Sequence, residues 1–201
     1  QCNQSDYEAF VNLSKEKLLM LDQKSKKLDP GSYRTYIASA GVSDLVDMFS
    51  WGGVSENAIR KGRSSFIKMK EQNIQLSPCF SLKEDFSSGT VPRFNSSGEI
   101  SDIELPLIIN GALKNTLVST RTANEYKLTS NFASQGEYLR SPVMGQGTVS
   151  ENDVLSKLGT GVYLSNLHLQ MENHQFCTAP QVHQMALHIP SLTYLHLLHC
   201  Q

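Results

Sequence analysis

The chain has 201 residues, with 18 Lys and Arg against 19 Asp and Glu, a formal net charge of −1 and a pI of about 6.6. No basic surplus is available to neutralise a phosphate backbone, which disfavours nucleic acid as a partner, and no apolar run approaches the roughly 20 residues of a membrane-spanning helix. The length suits one sizeable core or two small domains, and four cysteines without CxxC spacing (Cys2, Cys79, Cys177 and Cys200) suggest reduced thiols in a cytoplasmic protein.

The first ten residues, QCNQSDYEAF, have neither the basic nor the apolar part of a signal peptide and no initiator Met, which reads as a mature product or a fragment. Residues 6–21 then show helical spacing, with Phe10, Leu13, Lys17, Leu18 and Leu21 near one face. A solvated basic run at 24–27 and the turn Asp29-Pro30-Gly31 close this arm. Residues 33–39 alternate as a short strand. Residues 42–49 have helical spacing, with Ser43 as the cap. Trp51 beside Gly52-Gly53 reads as a packed anchor where backbones approach closely. Ser55-Glu56-Asn57-Ala58 opens another short helix, and 68–76 is polar with little pattern.

Residues 78–82 and 91–94 look like strands around a Ser-Gly loop, and NSSG at 95–98 is a tight turn. Two branched apolar runs, 104–109 and 112–118, flank Asn110-Gly111. A two-residue Asn-Gly loop suits a type I′ turn, whose positive φ values match the twist of the flanking strands. Pro106 cannot donate to a ladder and pushes its run toward an edge. Ser119 caps a short helix, with Thr122 where a capping box would place Glu. The stretch 128–148, rich in Ser, Gly, Asn and Gln, reads as a long surface loop. Residues 150–158 form a helix capped by Ser150, and 162–169 alternate as a strand.

Catalytic signatures are sparse. The sequence contains no HExxH, HExxxH or GxSxG, and Gly159-Thr160-Gly161 lacks the context of a dinucleotide loop. Glu84-Asp85 and Asp102-Glu104 read as surface charges. All six histidines lie from His168 onward. Within that set His174, Cys177, His196 and His199 have spacing usable for zinc or iron, which makes a metal-binding module the alternative reading.

Three stretches, in order, carry a resemblance: DPGSYRTYIASAGVSDLVDMFSWGGVSENAIRKGRSSF (29–66), IINGALKNTLVSTRTANEYKL (108–128) and LSKLGTGVYLSNLH (155–168). Together they resemble the TldD/PmbA family on its PmbA-like (TldE-like) side, over roughly residues 5–170 and only for the C-terminal half of a family chain. The resemblance implies a cytoplasmic metallopeptidase system, called a modulator of DNA gyrase in older usage. In it a TldD-type subunit carries the zinc or iron at an HExxxH motif, and a PmbA-type subunit pairs with it. The expected partners are a TldD-type or PmbA-type subunit, as hetero- or homodimer, and a peptide or unfolded protein. No metal or cofactor is expected in this chain.

The expected fold is α+β: a mainly antiparallel β domain with short helices at 32–170, preceded by a helical arm at 1–31. The family pattern is lost after His168, and residues 171–201 read as a divergent tail, as a shifted reading frame would produce. The expected function is the non-catalytic part of the peptidase system, holding an extended peptide at a sheet edge. Arg121, Tyr126, Ser165 and Asn166 are the candidate residues for that surface.

Overall fold

The computed structural model describes residues 3–22, 28–29, 31–150, 153–165 and 167. In chain order the elements are α1 (Gln4–Leu21), β1 (Thr35–Ile37), α2 (Ser39–Phe49), α3 (Glu56–Arg60), α4 (Ile67–Glu71), β2 (Leu82–Asp85), β3 (Glu104–Ile109), β4 (Ala112–Leu113), α5 (Thr120–Tyr126), β5 (Pro142–Met144), α6 (Val154–Leu158) and β6 (Val162–Leu164). They fall into two units, one formed by the chain up to Tyr36 with Ser150–Leu164, the other by Ile37–Val149 and the residues just after Leu164. The architecture is α+β, with an N-terminal helix and an antiparallel sheet, as the sequence reads.

In the first unit α1 opens on a reciprocal cap. Asn3 Oδ1 accepts the Asp6 amide at 2.8 Å, and the Asp6 carboxylate accepts the Asn3 amide at 3.3 Å. The helix therefore starts two residues before the expected Asp6. Strands β1 and β6 form a two-stranded sheet, with the Val162 amide on the Arg34 carbonyl at 3.2 Å and the Tyr36 and Tyr163 rings 5.3 Å apart. Val162 and Leu164 are buried and Tyr163 half-buried, the alternation the sequence shows. Ser150 does not cap α6 with its hydroxyl. The helix begins after Asp153, whose amide meets the Ser150 carbonyl at 3.0 Å. The strand expected to run to 169 is described only as Val162–Leu164, and the 171–201 tail lies outside the described residues.

The second unit is organised by a four-stranded sheet in the order β4-β3-β2-β5, every pair antiparallel. Leu82 on β2 and Leu107 and Ile108 on β3 are almost wholly buried, together with Val46 of α2, Phe66 and Met69 at α4, and Phe80. Burying each such side chain stabilises by roughly 1.5–3 kcal/mol. Phe49 locks the helices to the chain entering β2, with its ring 5.1 Å from Phe66 and 5.7 Å, edge-on, from Phe80.

The hairpin is where the sequence places it, but its second arm is shorter. Asn110 and Gly111 have φ of 48° and 78°, both positive as a type I′ turn requires. Ile108 pairs with Leu113 and Ile109 with Ala112, and there β4 ends. Pro106 has no N–H for the next rung. The amides of Lys114 and Asn115 instead share the Leu107 carbonyl, at 2.8 and 3.3 Å, and the Asn115 side chain takes the Pro106 carbonyl at 2.7 Å. The chain then leaves the sheet, and Leu117 bridges Ser55 in parallel.

Other differences have local causes. Helix α2 starts at Ser39, and Ser43 bonds back to the Ser39 carbonyl at 3.0 Å instead of capping. Trp51 is 45% exposed and anchors nothing. The close approach belongs to Gly53, where an added Cβ would stand 3.0 Å from the Phe49 carbonyl oxygen. Helix α4 lies within the stretch read as patternless, seated by Met69. The strand expected at 78–82 starts only at Leu82, and that at 91–94 reduces to one Phe94–Ile100 bridge around the NSSG turn. Of the four cysteines only Cys79 lies among the described residues, exposed just before β2.

Segment 76–81 grips the hairpin turn. The Leu76 amide donates to the Gly111 carbonyl at 2.9 Å, and the Gly111 amide to the Phe80 carbonyl at 2.8 Å. A Cβ on Gly111 would collide with the carbonyl oxygens of Leu76 and Ser77, the latter at 2.7 Å. Gly111→Val therefore combines a strained φ with a backbone clash and is expected to destabilise by about 3 kcal/mol. Urea unfolding checks this, and a neutral effect would contradict the turn geometry.

Candidate functional site

The polar stretch 128–148 holds a buried carboxylate that ties together distant parts of the second unit. Glu137 is 1% exposed and sits at a positive φ of 52° in a turn closed onto Ser134. Its Oε2 accepts the Ser55 hydroxyl at 2.6 Å and the Asn57 amide at 2.8 Å. Its Oε1 accepts the Ser119 amide and the Ser119 hydroxyl, both at 2.9 Å. Ser55 and Ser119 are the N-caps of α3 and α5, each accepting the third helical amide, from Ala58 and Thr122. One carboxylate thus holds two caps, which accounts for the agreement of both caps with the sequence. Burial opposes ionisation of Glu137, but the bonds from Ser55, Thr122, Ser119 and Asn57 outweigh it and hold the carboxyl below the ordinary glutamate range.

Glu84 occupies the centre of the sheet and is 3% exposed, which corrects its reading as a surface charge. Asp102 and Glu104 are exposed, as read. The burial of Glu84 follows from alternation: Leu82, Glu84 and Phe86 all point inward. Glu84 Oε1 accepts the amides of Arg140 and Ser141 at 3.0 and 3.1 Å, fixing the start of β5. Burial raises its pKa, against the lowering pull of those amides and of the Arg140 charge. The Arg140 guanidinium stands 5.2 Å over the Phe86 ring and bonds the Phe94 carbonyl at 2.8 Å. Glu84, Ser101, Asp102, Asn131, Tyr138 and Arg140 line a cleft of about 10 Å³, room for roughly one water.

Among the described residues β5 is one edge strand of this sheet and β4 the other. The Asp85 amide bonds the Ser141 carbonyl at 2.9 Å and the Gly145 amide bonds the Ser81 carbonyl at 2.8 Å. By the period of two, residues 141, 143 and 145 turn their pairing groups toward β2. The Pro142 carbonyl and the Met144 amide and carbonyl face away from it. The edge is short and begins with a proline, both of which limit indiscriminate pairing.

Of the expected surface residues, Arg121 and Tyr126 share α5. Arg121 is exposed, and Tyr126 is half-buried beneath the Arg60 guanidinium, 5.7 Å from its ring centre. Ser165 is exposed in the bend after β6, and Asn166 lies outside the described residues. So do His174, Cys177, His196 and His199. Among the described residues no three His, Cys, Asp or Glu side chains are placed to share a metal ion. Among the same residues no helix is long and apolar enough to cross a membrane. Glu137, Arg140 and the β5 edge escaped the sequence reading, since nothing in the pattern of 128–148 marks them. For Glu84 the available signal was the Leu82-Glu84-Phe86 alternation, which the reading of a strand at 78–82 left out.

A model of the PmbA/TldA metallopeptidase C-terminal domain matches residues 30–180. The chain belongs to the PmbA/TldD family. Solved relatives share the fold of this PmbA/TldD domain. A candidate modulator of a DNA gyrase from Thermotoga maritima superposes with a TM-score of 0.60 at 20% identity, over 71% of this chain and 34% of that one. A second candidate modulator of DNA gyrase, from Bacteroides thetaiotaomicron, gives 0.56 at 16% identity, over 68% and 30%. TldE from Thermococcus kodakarensis gives 0.55 at 15% identity, over 77% and 38%. The chain thus spans about a third of the length of these structures. The search of curated proteins gave no match.

Two expectations follow for the PmbA/TldD domain. Glu137→Gln puts an NH2 group against donors and is expected to destabilise by about 3 kcal/mol at neutral pH. Because the folded carboxyl has the lower pKa, its contribution is present above the unfolded value and lost as pH falls through the folded one. The variant's stability should therefore decline less on acidification, as denaturation at several pH values will show. Glu84 has the opposite sign. Its folded pKa is raised above the ordinary 4.5, so its contribution is full below the unfolded value and is lost as pH rises through the folded one. Glu84→Gln keeps an oxygen that can accept both amides and sheds the buried charge. It should be more stable than the parent at pH 7–8, with the gap closing as pH falls through the raised folded pKa toward the ordinary 4.5.

Proposed function

We propose that this chain is the PmbA-like, non-catalytic part of a TldD/PmbA-type metallopeptidase system, and that it holds an extended peptide or unfolded segment by adding it to the β5 edge. The observation that supports this reading is the edge itself: outward-facing Pro142 and Met144 main-chain groups on a strand that, among the described residues, pairs only with β2. Main-chain pairing of this kind takes peptides with little regard to side chains, as a processing system requires. Arg121 and Tyr126 on α5, with Ser165 and Asn166, provide candidate side-chain contacts. The sequence has no HExxxH, so bond cleavage falls to a TldD-type partner carrying zinc or iron, paired with this chain in a cytoplasmic dimer.

The chain alone is expected to bind unfolded peptides without cleaving them, with or without added zinc or iron. Met144→Pro removes an outward amide and leaves the bonds to β2 in place. It should weaken binding by about tenfold in fluorescence anisotropy, a loss of about 1.4 kcal/mol. Chelator-sensitive cleavage by the isolated chain would overturn the non-catalytic assignment, and unchanged binding by a folded Met144→Pro variant would overturn the edge.

A further inference from the structure

Seven cations of the second unit lie on three linked helical segments. Arg60, Lys61 and Arg63 come from α3 and the turn after it, Lys68 and Lys70 from α4, and Arg121 and Lys127 from α5 and its C-cap. All are exposed. Contacts join the segments. Arg60 covers the Tyr126 ring, Lys61 Nζ lies 4.0 Å from Glu125, the Asn57 side chain donates to Thr122 at 3.4 Å, and Lys70 bonds Glu56. Tyr126 feels the charge of both Arg60 and Arg63.

The carboxylates on these helices do not balance the cations. Glu56 is 1% exposed and engaged by Arg60, Lys70 and Thr116. Glu125 reaches Lys61, and Glu71 is the third. Arg63, Lys68, Arg121 and Lys127 have no ion-pair partner among the described residues. On a chain of net charge −1, these three linked segments carry seven cations against three carboxylates, a local excess of positive charge. Such a field steers and retains an anionic partner. The Tyr126 ring is already covered by Arg60 and is not open to base stacking.

We infer that this α3–α4–α5 face binds an acidic segment of the peptide substrate, so that the chain favours acidic over neutral and basic sequences. The inference rests on the peptide-holding reading above. Its test uses the full 201-residue chain and three labelled peptides of equal length, rich in Glu and Ser, Gln and Ser, or Lys and Ser, with a DNA duplex as a fourth probe. Anisotropy is read at low and high salt. The acidic peptide should bind about tenfold more tightly than the neutral one at ~0.05 M salt and lose that advantage at ~0.5 M, where screening is short-ranged. Arg63→Glu with Lys68→Glu, both on exposed positions, should abolish the advantage with neutral-peptide binding and melting temperature unchanged. Equal binding of acidic and neutral peptides would overturn the inference and leave peptide holding intact. Binding of none of the peptides would overturn both. Preference for the duplex, or an acidic preference that survives the double substitution, would overturn the inference alone.

Discussion

A single buried carboxylate joins three parts of the second unit that are far apart in sequence. Glu137 faces no cation. It is held by two hydroxyls and two amides, from the caps of α3 and α5. Each donor meets an ionised acceptor in a place closed to water, where such bonds are strong and an unmet one is costly. The Ser55 and Ser119 side chains are thereby oriented to cap their own helices. Asn131 reinforces the arrangement, accepting the Val118 amide at 2.9 Å and donating to the Thr116 carbonyl at 2.7 Å. The irregular stretch 128–148 is therefore the linchpin of the helices and no mere connection between them.

The three buried glutamates show how surroundings decide the behaviour of one side chain. Glu56 has two cations and a hydroxyl, and Glu137 has only neutral donors. In both, these bonds outweigh burial and the carboxyl is held below its ordinary range. Glu84 has two amides and a cation engaged chiefly with main-chain carbonyls, and burial prevails. Glu84 fixes the start of the edge strand and Glu137 the helices that carry the basic face. The two surfaces proposed to meet a peptide thus rest on carboxylates with opposite responses to acid.

The parts of the fold legible in the sequence are those encoded locally. Asn110-Gly111 specifies its own turn, Ser119 and Ser55 specify their caps, and the resemblance over 29–66, 108–128 and 155–168 gave the family. The illegible parts depend on partners distant in sequence. The end of β4 needs Pro106, Asn115 and the Leu117–Ser55 bridge together. The burial of Glu84 depends on amides at 140 and 141, and the role of Glu137 on hydroxyls at 55 and 119. Helix α4 is too short for a period to emerge around Met69. Of the residues nominated for function, Arg121 and Tyr126 fell on one helix because they belong to one local segment.

The sheet order also fixes the length of chain that each pairing closes. The β3–β4 turn closes over two residues, β2 joins β3 across about 18 residues, and β5 reaches β2 across about 57, each longer closure adding to the entropy lost. Strand β5 thus closes the longest of the three loops, and its amides are expected to exchange ahead of those of the central strand β3. The margin proposed to take a peptide is therefore the one secured by the longest closure, while β3 and the buried side chains behind it are held from both sides.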